Sequence, residues 1–305
     1  MADWRPGASL ENLRLRADLL RRTRQFFAER DVLEVETPLL APATVTDLHL
    51  HSLSLNNGGR AWYLQTSPEF AMKRLLSAGS GSCYQICKAF RADEVSRLHN
   101  PEFTLLEWYR IGFSLDELMD EVAALATILV GAADVPRLSY REVFLEHLGF
   151  DPHAVGGEEL ALLTRRHVDF GSAELDDTDH LQLLLNHCIE PELPRFCFVY
   201  DFPAPQAALA VVQPDASGTP VARRFELYGA GMELANGYQE LTDGDELRRR
   251  FERDLQERQR RDLPSVPVDE RLLAALAAGL PACAGVALGF DRLVMLAAGV
   301  DSIGE

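Results

Sequence analysis

The spacing of hydrophobic and polar positions predicts a chain that mixes helices with strands. Apolar residues at helical spacing predict a helix over residues 10–30, and the alternating segment that follows predicts a strand that ends at Pro38. The same alternation predicts further strands over residues 48–53, 61–66, 83–91, 103–113, 196–202 and 225–233. Strands of this length between turn residues favour an antiparallel sheet.

Helical segments lie between and after these strands. One helix is predicted to begin at Ser67-Pro68-Glu69, where serine caps the first turn, proline fits it and the carboxylate faces the positive end of the helix dipole. Other helices are predicted over residues 114–129, 244–262, 269–277 and 293–298. We predict an α+β fold, a mainly antiparallel sheet flanked by helices in a single domain over 1–305, with a mostly helical insertion at about 138–190.

Composition narrows the class of protein. With 47% hydrophobic residues and no segment of about 20 uncharged apolar residues, the chain is expected to be a cytoplasmic protein without a membrane span. Five scattered cysteines do not form a disulfide framework, and neither Cys83 with Cys87 nor His49 with His51 has the spacing of a strong metal site. The net charge of −17 argues against a nucleic-acid binder, although it leaves a local basic patch possible.

Neither a P-loop nor a GxGxxG fingerprint occurs, so a bound nucleotide needs another phosphate clamp. Three separate segments could supply one. They are Phe90-Arg91-Ala92-Asp93-Glu94 followed by His99-Asn100-Pro101-Glu102-Phe103, then Glu226 with Glu233, and finally Gly289 with Arg292. The first segment resembles motif 2 of the class II aminoacyl-tRNA synthetases and the last resembles motif 3. Pro38 is similar to the motif 1 proline at that family's dimer interface, which implies a homodimer.

The resemblance implies a class II catalytic core that binds ATP and Mg²⁺. Arg91 would grip the α-phosphate and the amino-acid carboxylate, while Arg292 would neutralise the γ-phosphate. Glu226 and Glu233 would hold Mg²⁺, and Glu233 would also lie close to the amino acid; Arg91, Arg292 and Glu233 form the predicted catalytic set. The remaining ATP contacts implied by the family are Asp93 and Asn100 at adenine, Phe103 stacked on the base, His99 at the triphosphate, and Leu227 and Gly289.

Within that family the chain is most similar to the lysyl enzymes, through residues 66–69, 106–109 and 233–240. Glu69 would receive the backbone amino group, and Glu107 and Tyr109, two apart on one strand, would receive a distal ammonium. Two anionic positions imply a small diamino acid as substrate. The other residues expected around it are Ser67, Pro68, Asn236, Tyr238 and Ala287.

About 30 residues precede motif 1, too few for the anticodon-binding domain of about a hundred residues that lysyl-tRNA synthetases carry, so tRNA is not expected as the acceptor. Truncated cores of this kind are the ligases that attach (R)-β-lysine to a lysine of translation elongation factor P, and the chain resembles them. At the position of Ala287 those ligases have alanine, whereas lysyl-tRNA synthetases typically have glycine. Whether β-lysine or α-lysine is preferred stays open.

The residues alone leave three other functions open. The protein could charge tRNA with the help of a separate anticodon module, join an amino acid to a small amine in the manner of asparagine synthetase, or be a non-catalytic paralogue. Intact Arg91, Glu226, Glu233 and Arg292 argue against the last reading. Glu69, Glu107 and Tyr109 argue against the asparagine synthetase type.

Overall fold

A computed structural model describes residues 4–92, 95–171 and 175–305. The residues fall into two units, a first unit of residues 1–131 and 240–305 and a second unit of residues 132–239. The helices are α1 Leu10–Ala28, α2 Glu69–Ser77, α3 Leu115–Val130, α4 Tyr140–Leu148, α5 Gly157–His167, α6 Asp177–Leu184, α7 Gly244–Arg260, α8 Glu270–Gly279 and α9 Phe290–Ala298. The strands are β1 Leu33–Glu34, β2 Leu40–Ala41, β3 Ser54–Asn57, β4 Arg60–Leu64, β5 Cys83–Phe90, β6 Glu102–Ile111, β7 Arg137–Ser139, β8 Phe196–Pro203, β9 Val212–Pro214, β10 Pro220–Gly229, β11 Glu233–Gln239 and β12 Cys283–Gly289.

In the first unit the strands β1, β5, β6 and β12 lie side by side. β1 runs parallel to β5, and β6 is antiparallel to both β5 and β12. One face of these strands packs into an apolar core, where Trp108 is fully buried and Tyr84 stacks on Phe27 of α1 with ring centroids 4.3 Å apart. Because side chains alternate along a strand, the neighbouring residues of β5, β6 and β12 point to the other face. A small antiparallel sheet of order β2-β4-β3 completes the strands of this unit.

In the second unit β10 is the central strand. It is antiparallel to β11, β8 and β9, and β7 is parallel to β8. Helices α4 and α6 cover the strands through a buried apolar cluster that includes Tyr140, Phe144, Leu184, Val199 and Phe202. Helices α4, α5 and α6 all lie within residues 138–190, and the insertion into a single domain stays a prediction.

Most predicted elements are present, and the mainly antiparallel α+β arrangement is confirmed. The strand predicted over residues 48–53 is wrong. Its backbone is diverted by Asp47, whose Oδ1 accepts hydrogen bonds from the amides of His49 and Leu50 at 2.7 and 3.2 Å, and β3 begins only at Ser54. No described helix has both the length and the apolar character that crossing a membrane would require.

Two further boundaries differ from the prediction. The strand predicted over residues 225–233 is two strands, because Ala230 and Gly231 adopt positive φ values of 50° and 72° and turn the chain between β10 and β11. Helix α2 has Pro68 rather than Ser67 in the capping position. Ser67 still contributes, since its Oγ accepts a hydrogen bond from the Glu69 amide at 3.3 Å.

Candidate active site

The polar face of the first unit's strands carries Glu107 and Tyr109. The strand register sets Glu107 between Gln85 and Ala287, and the next row on the same face sets Tyr109 between Cys83 and Gly285. The Tyr109 hydroxyl donates to Glu107 Oε1 at 2.7 Å. Glu107 is only 2% exposed, and its Oε2 has no hydrogen-bond partner among the described residues. A buried acceptor of this kind is expected to be satisfied by a ligand or an ordered water.

Helix α2 brings a second carboxylate and a lysine to Glu107. Glu69 is the first residue of α2 and Lys73 lies one turn later, with its Nζ 2.6 Å from Glu69 Oε1 and 2.6 Å from Glu240 Oε2. Lys73 is 1% exposed and Glu240 is 3% exposed. The charges of Glu69, Glu240 and Lys73 all act on Glu107. We call Glu69, Lys73, Glu107, Tyr109 and Glu240 the carboxylate pocket.

Burial and mutual repulsion disfavour ionisation of the acids in this pocket. Burial, followed by the charge of Glu69, raises the pKa of Glu107 to about 8 even though the Tyr109 hydroxyl opposes the shift. Burial also raises the pKa of Glu240 to about 7, against the attraction of Lys73. Burial lowers the pKa of Lys73, but Glu240 and Glu69 outweigh that effect and the net pKa is raised. Lys73 is therefore a permanent cation, whereas Glu107 gains its charge near neutral pH.

The close approach of strand β12 to this pocket depends on Gly285. A Cβ atom added there would lie 2.3 Å from the ring of Tyr109 and 2.5 Å from Glu240 Oε1. No real side chain tolerates such distances. Gly285 therefore lets the tyrosine ring and the carboxylate of Glu240 lie directly against the strand backbone.

The predicted nucleotide clamp of the first unit begins at the end of β5. Arg91 follows β5, its backbone amide donates to the Pro101 carbonyl at 3.0 Å, and its guanidinium carbon lies 5.0 Å from the ring centroid of Phe103. At this distance the Arg91 guanidinium lies within cation–π range of Phe103, the ring predicted to stack on adenine. Asn100 is exposed, and the predicted contact Asp93 lies outside the described residues.

Arg292 lies in the first turn of α9, just after Gly289, which occupies the capping position of that helix. One Nη of Arg292 lies 2.5 Å from Nε2 of His99, and Nδ1 of His99 lies 2.8 Å from the Ser96 hydroxyl. A guanidinium only donates, so Nε2 is the acceptor and the proton resides on Nδ1. The structure thus brings together Arg292 and His99, both predicted to contact the triphosphate.

Next to Arg292, Asp291 ties three elements together. Its Oδ1 accepts from Arg16 of α1 at 2.6 Å, and its Oδ2 accepts from the Thr104 amide of β6 at 2.6 Å. Arg16 also donates to the Thr104 hydroxyl at 2.7 Å. This network fixes the start of α9, and with it Arg292, relative to the strand that carries Phe103.

In the second unit Glu226 lies on β10, opposite Asn236 of β11. Glu226 is buried, and its two oxygens accept from Arg224 and from the Tyr228 hydroxyl. Glu233 pairs with Tyr228 across the strands, and the charges of both glutamates act on Arg224.

Three more predicted residues lie on the same two strands. The amide oxygen of Asn236 is buried and has no hydrogen-bond partner within the described ranges. Tyr238 lies opposite Arg224, with its ring centroid 6.0 Å from the guanidinium carbon. Leu227 is buried on the other face of β10 from Glu226, so only its backbone could touch a ligand on the Glu226 side.

Comparison with known proteins identifies the family. The family model of tRNA synthetases class II (D, K and N) matches residues 1–305. The chain belongs to this family. Among curated proteins, this class II chain is 50% identical over 312 residues to the elongation factor P–(R)-β-lysine ligase of Vibrio cholerae, which covers 99% of the chain and 96% of the relative. It is 48% identical to the ligase of that name from Vibrio vulnificus, with 100% of the chain and 97% of the relative covered. It is 47% identical to the ligase of that name from Yersinia enterocolitica, with 100% of the chain and 96% of the relative covered. These relatives place the class II chain with the elongation factor P–(R)-β-lysine ligases, as the motifs predicted.

Four residues that contact predicted site residues or their immediate neighbours had no role predicted from the sequence. Lys73 stands one helical turn after Glu69, a spacing that signals an ion pair on any helix. Arg224, Glu226 and Tyr228 are two residues apart along β10, and this spacing puts all three side chains on the same face of the strand. Glu240 ends the segment 233–240 that resembles the lysyl enzymes, but no role was predicted for it. Arg16 gave no local signal, because its partners lie far away in the sequence.

Mg²⁺ is expected for this family, and the residues present fit it. Mg²⁺ usually binds one or two carboxylates together with phosphate oxygens and water rather than a cage of protein ligands. Glu226 and Glu233 would be such a pair once Mg²⁺ replaces Arg224 or Tyr228 at a Glu226 oxygen, and the described residues contain no larger metal-binding group of histidine, cysteine or acidic side chains. The role of each site residue stays a prediction.

Proposed function

We propose that this chain is an ATP-dependent ligase that activates (R)-β-lysine and transfers it to a lysine side chain of elongation factor P. The observation that carries the proposal is 50% identity over 99% of the chain to a ligase of that name. The carboxylate pocket supports the substrate class independently. A buried carboxylate with one oxygen that has no hydrogen-bond partner among the described residues, beside two further carboxylates and one lysine, is complementary to a ligand with two ammonium groups.

Activation requires two anions to react, so positive charge must hold them together. The carboxylate oxygen of the amino acid attacks the α-phosphorus of ATP, the bond to the bridging oxygen breaks and pyrophosphate leaves. Arg91 binds the attacking carboxylate and the α-phosphate, and Arg292, oriented by Asp291, binds the γ-phosphate. Glu226 and Glu233 would hold Mg²⁺, which neutralises phosphate charge when bound.

In the transfer step the deprotonated ε-amine of the acceptor lysine attacks the carbonyl carbon of the mixed anhydride. The carbon–oxygen bond to AMP breaks, an amide forms, and the amine loses one proton to solvent. No general base is needed for activation, because the amino-acid carboxylate is already ionised at neutral pH.

In this proposal each ammonium group of the substrate has its own carboxylate. Glu69 receives the amino group near the carboxylate, and Glu107 with Tyr109 receives the distal ammonium. Ala287 is the cross-strand neighbour of Glu107, so its methyl group borders the pocket. A methyl there crowds an α-amino acid and suits an amino group moved by one carbon, a difference of about 1–3 kcal/mol. We therefore favour (R)-β-lysine over α-lysine.

We also propose that the protein is a cytoplasmic homodimer. Five leucines near the motif 1 proline in the sequence are between about a third and a half exposed, and a dimer interface on this part of the chain would cover them: Leu33, Leu39, Leu40, Leu53 and Leu55. In light scattering coupled to gel filtration the wild type should have the mass of a dimer. L40D/L55D should have the mass of a monomer, and a monomeric wild type would contradict the proposal.

The decisive experiment is intact mass spectrometry of elongation factor P after incubation with the protein, ATP and (R)-β-lysine. We expect the factor to gain the mass of one β-lysyl group, and E107Q to abolish the gain. K88M, which changes an exposed lysine paired with Glu102, is the control and should retain it. Acid-labile aminoacyl ester on tRNA, with unmodified factor, would instead support the tRNA-charging alternative.

A further inference from the structure

Lysine is nearly absent from this chain, and one of its two lysines is buried among acids. Of 30 lysine and arginine residues only Lys73 and Lys88 are lysines. Lys88 is about half exposed, whereas Lys73 is 1% exposed. Almost all other cationic side chains of this protein are arginines, whereas the cation in the carboxylate pocket is the compact ammonium of Lys73.

The two contacts of Lys73 explain why an ammonium suits this position. Its Nζ lies 2.6 Å from an oxygen of Glu69 and 2.6 Å from an oxygen of Glu240. An ammonium presents three donors from a single atom, so it can serve two carboxylates that converge on one point. A planar guanidinium spreads its donors over a wider fork and would need more room than this buried position gives.

The charge balance of the pocket gives Lys73 its significance. With Glu69, Glu107 and Glu240 ionised and Lys73 protonated, the pocket carries two net negative charges. A substrate with two ammonium groups balances them, and its own carboxylate is left for Arg91. Buried charges without a counterion are very unfavourable. Without Lys73 a third cation or a proton would be needed.

We propose that Lys73 is a positioning and specificity-determining residue, a resident cation that holds Glu69 and Glu240 and limits the pocket to substrates with two ammonium groups. This inference rests on the proposed function of the same site. In this role Lys73 has no contact with the reacting atoms. It acts through the two carboxylates, one of which receives the substrate's amino group.

Several ionisable groups face Lys73 and its partners, and they define what a pH profile reports. The groups that lie on the elements around the pocket are Glu69 of α2, Glu107 and Tyr109 of β6, Cys83 and Cys87 of β5, Cys283 of β12, and Glu240. Burial raises the pKa of each cysteine, so the thiols stay neutral near pH 7. Glu107 and Glu240 are the groups with pKa values raised into the neutral range, and loss of the nearby cation would raise those pKa values further.

The test compares K73M, the charge-balanced double variant K73M/E240Q and the control K88M. The assay is ATP–pyrophosphate exchange with (R)-β-lysine over a range of pH. We expect K73M to raise KM for the amino acid at least tenfold, with kcat within about threefold of wild type, and to move the midpoint of the KM profile to higher pH. The double variant should bring the pH midpoint and the melting temperature back towards wild type. K88M should match wild type.

A substrate analogue adds a second readout. 6-Aminohexanoate has the distal ammonium and the carboxylate but lacks the second amino group. Wild type should have a much higher kcat/KM for (R)-β-lysine than for this analogue. In K73M the ratio of the two kcat/KM values should be at least fivefold smaller, because Glu69 loses the ion pair that holds its side chain in place. A purely structural lysine would change the melting temperature without changing this ratio.

The outcomes separate the two proposals. Absence of exchange by wild type would overturn the proposed function. Exchange by wild type, with KM, pH midpoint and discrimination unchanged in folded K73M, would overturn the role of Lys73 alone. If K73M does not fold, the double variant takes its place, and failure of both to fold would show a structural lysine and would also overturn the inference.

Discussion

Individual residues of the carboxylate pocket show how burial sets charge. Glu107 and Glu240 lie among other acids, out of contact with water, and each is harder to ionise than an exposed glutamate. Lys73 has the opposite balance, because two carboxylates at 2.6 Å outweigh its own burial. The pocket thus keeps one fixed positive charge and gains negative charge as the pH rises through neutrality.

This balance predicts the pH dependence of substrate binding. The pKa of Glu107 is raised to about 8, so the group is largely protonated below that pH and ionises as the pH rises through it. Only the carboxylate can pair with a substrate ammonium. We expect KM for (R)-β-lysine in pyrophosphate exchange to fall roughly tenfold between pH 7 and pH 8.5. E107Q should have a high KM with a much flatter profile, and a wild-type KM that rises over this range would contradict the assignment.

Gly285 is a second residue of this site, and a single added carbon atom there would disrupt the packing. An added Cβ would lie 2.3 Å from the Tyr109 ring and 2.5 Å from Glu240, so G285A should lower the free energy of unfolding by about 1–3 kcal/mol and raise KM for the amino acid. The measurement is urea unfolding together with pyrophosphate exchange. G244A is the matched control, since its Cβ would meet its nearest neighbour at 3.4 Å, and it should be neutral or slightly stabilising. Equal effects of the two changes would refute the packing argument.

At the scale of elements, hydrogen bonds between side chains hold α1, β6 and α9 together. Arg16, Asp291 and Thr104 each come from a different one of these elements, and their contacts are 2.6–2.7 Å long. Within elements, the helix ends obey local rules. Ser114 and Glu117 form a capping box at α3, and Gly131 ends the helix in a left-handed conformation.

The tie between the three elements predicts an effect on ATP rather than on the amino acid. R16Q should lower the free energy of unfolding by about 1–2 kcal/mol, because Asp291 loses a charged partner, and should raise KM for ATP several-fold through Arg292. KM for (R)-β-lysine should change less. R21Q, which breaks an exposed pair with Asp18 in the same helix, is the control and should stay within about 0.5 kcal/mol of wild type. An unchanged KM for ATP in R16Q would show that the network serves stability alone.

At the scale of the whole molecule, acidic residues outnumber basic ones, 47 against 30, and the net charge is −17. From this net charge we expect weak binding to nucleic acid and a preference for a basic segment on a protein partner. The predicted metal ligands are only two, Glu226 and Glu233. Phosphate oxygens and water must therefore complete the coordination of any Mg²⁺.

The small number of protein ligands predicts how the protein responds to metal removal. EDTA should abolish pyrophosphate exchange, and excess Mg²⁺ should restore it. The melting temperature without ATP should change by less than about 2 °C, because a metal held mainly by the nucleotide contributes little to the fold in its absence. E226Q should weaken the Mg²⁺ dependence of exchange. A large drop in melting temperature on EDTA addition would indicate a structural metal instead.

The sequence alone was sufficient for the class of fold and for a set of candidate site residues whose roles remain predictions. Periodicity reports which residues share a face, and the spacing of two between Glu107 and Tyr109 correctly placed both side chains on one face of a strand. Short motifs report chemistry at fixed local spacing, and they led to Arg91 and Arg292. These signals depend on neighbours along the chain.

Only the tertiary structure showed what surrounds those residues. Lys73 and Glu240 are far apart in the sequence, and nothing local indicates that they meet or that Glu107 retains a buried oxygen without a partner among the described residues. The turn at Ala230 that divides the strand predicted over 225–233, and the capture of the His49 amide by Asp47, were equally invisible to periodicity. Burial and pairing of charge depend on which distant segments pack together, and that is decided by the folded chain as a whole.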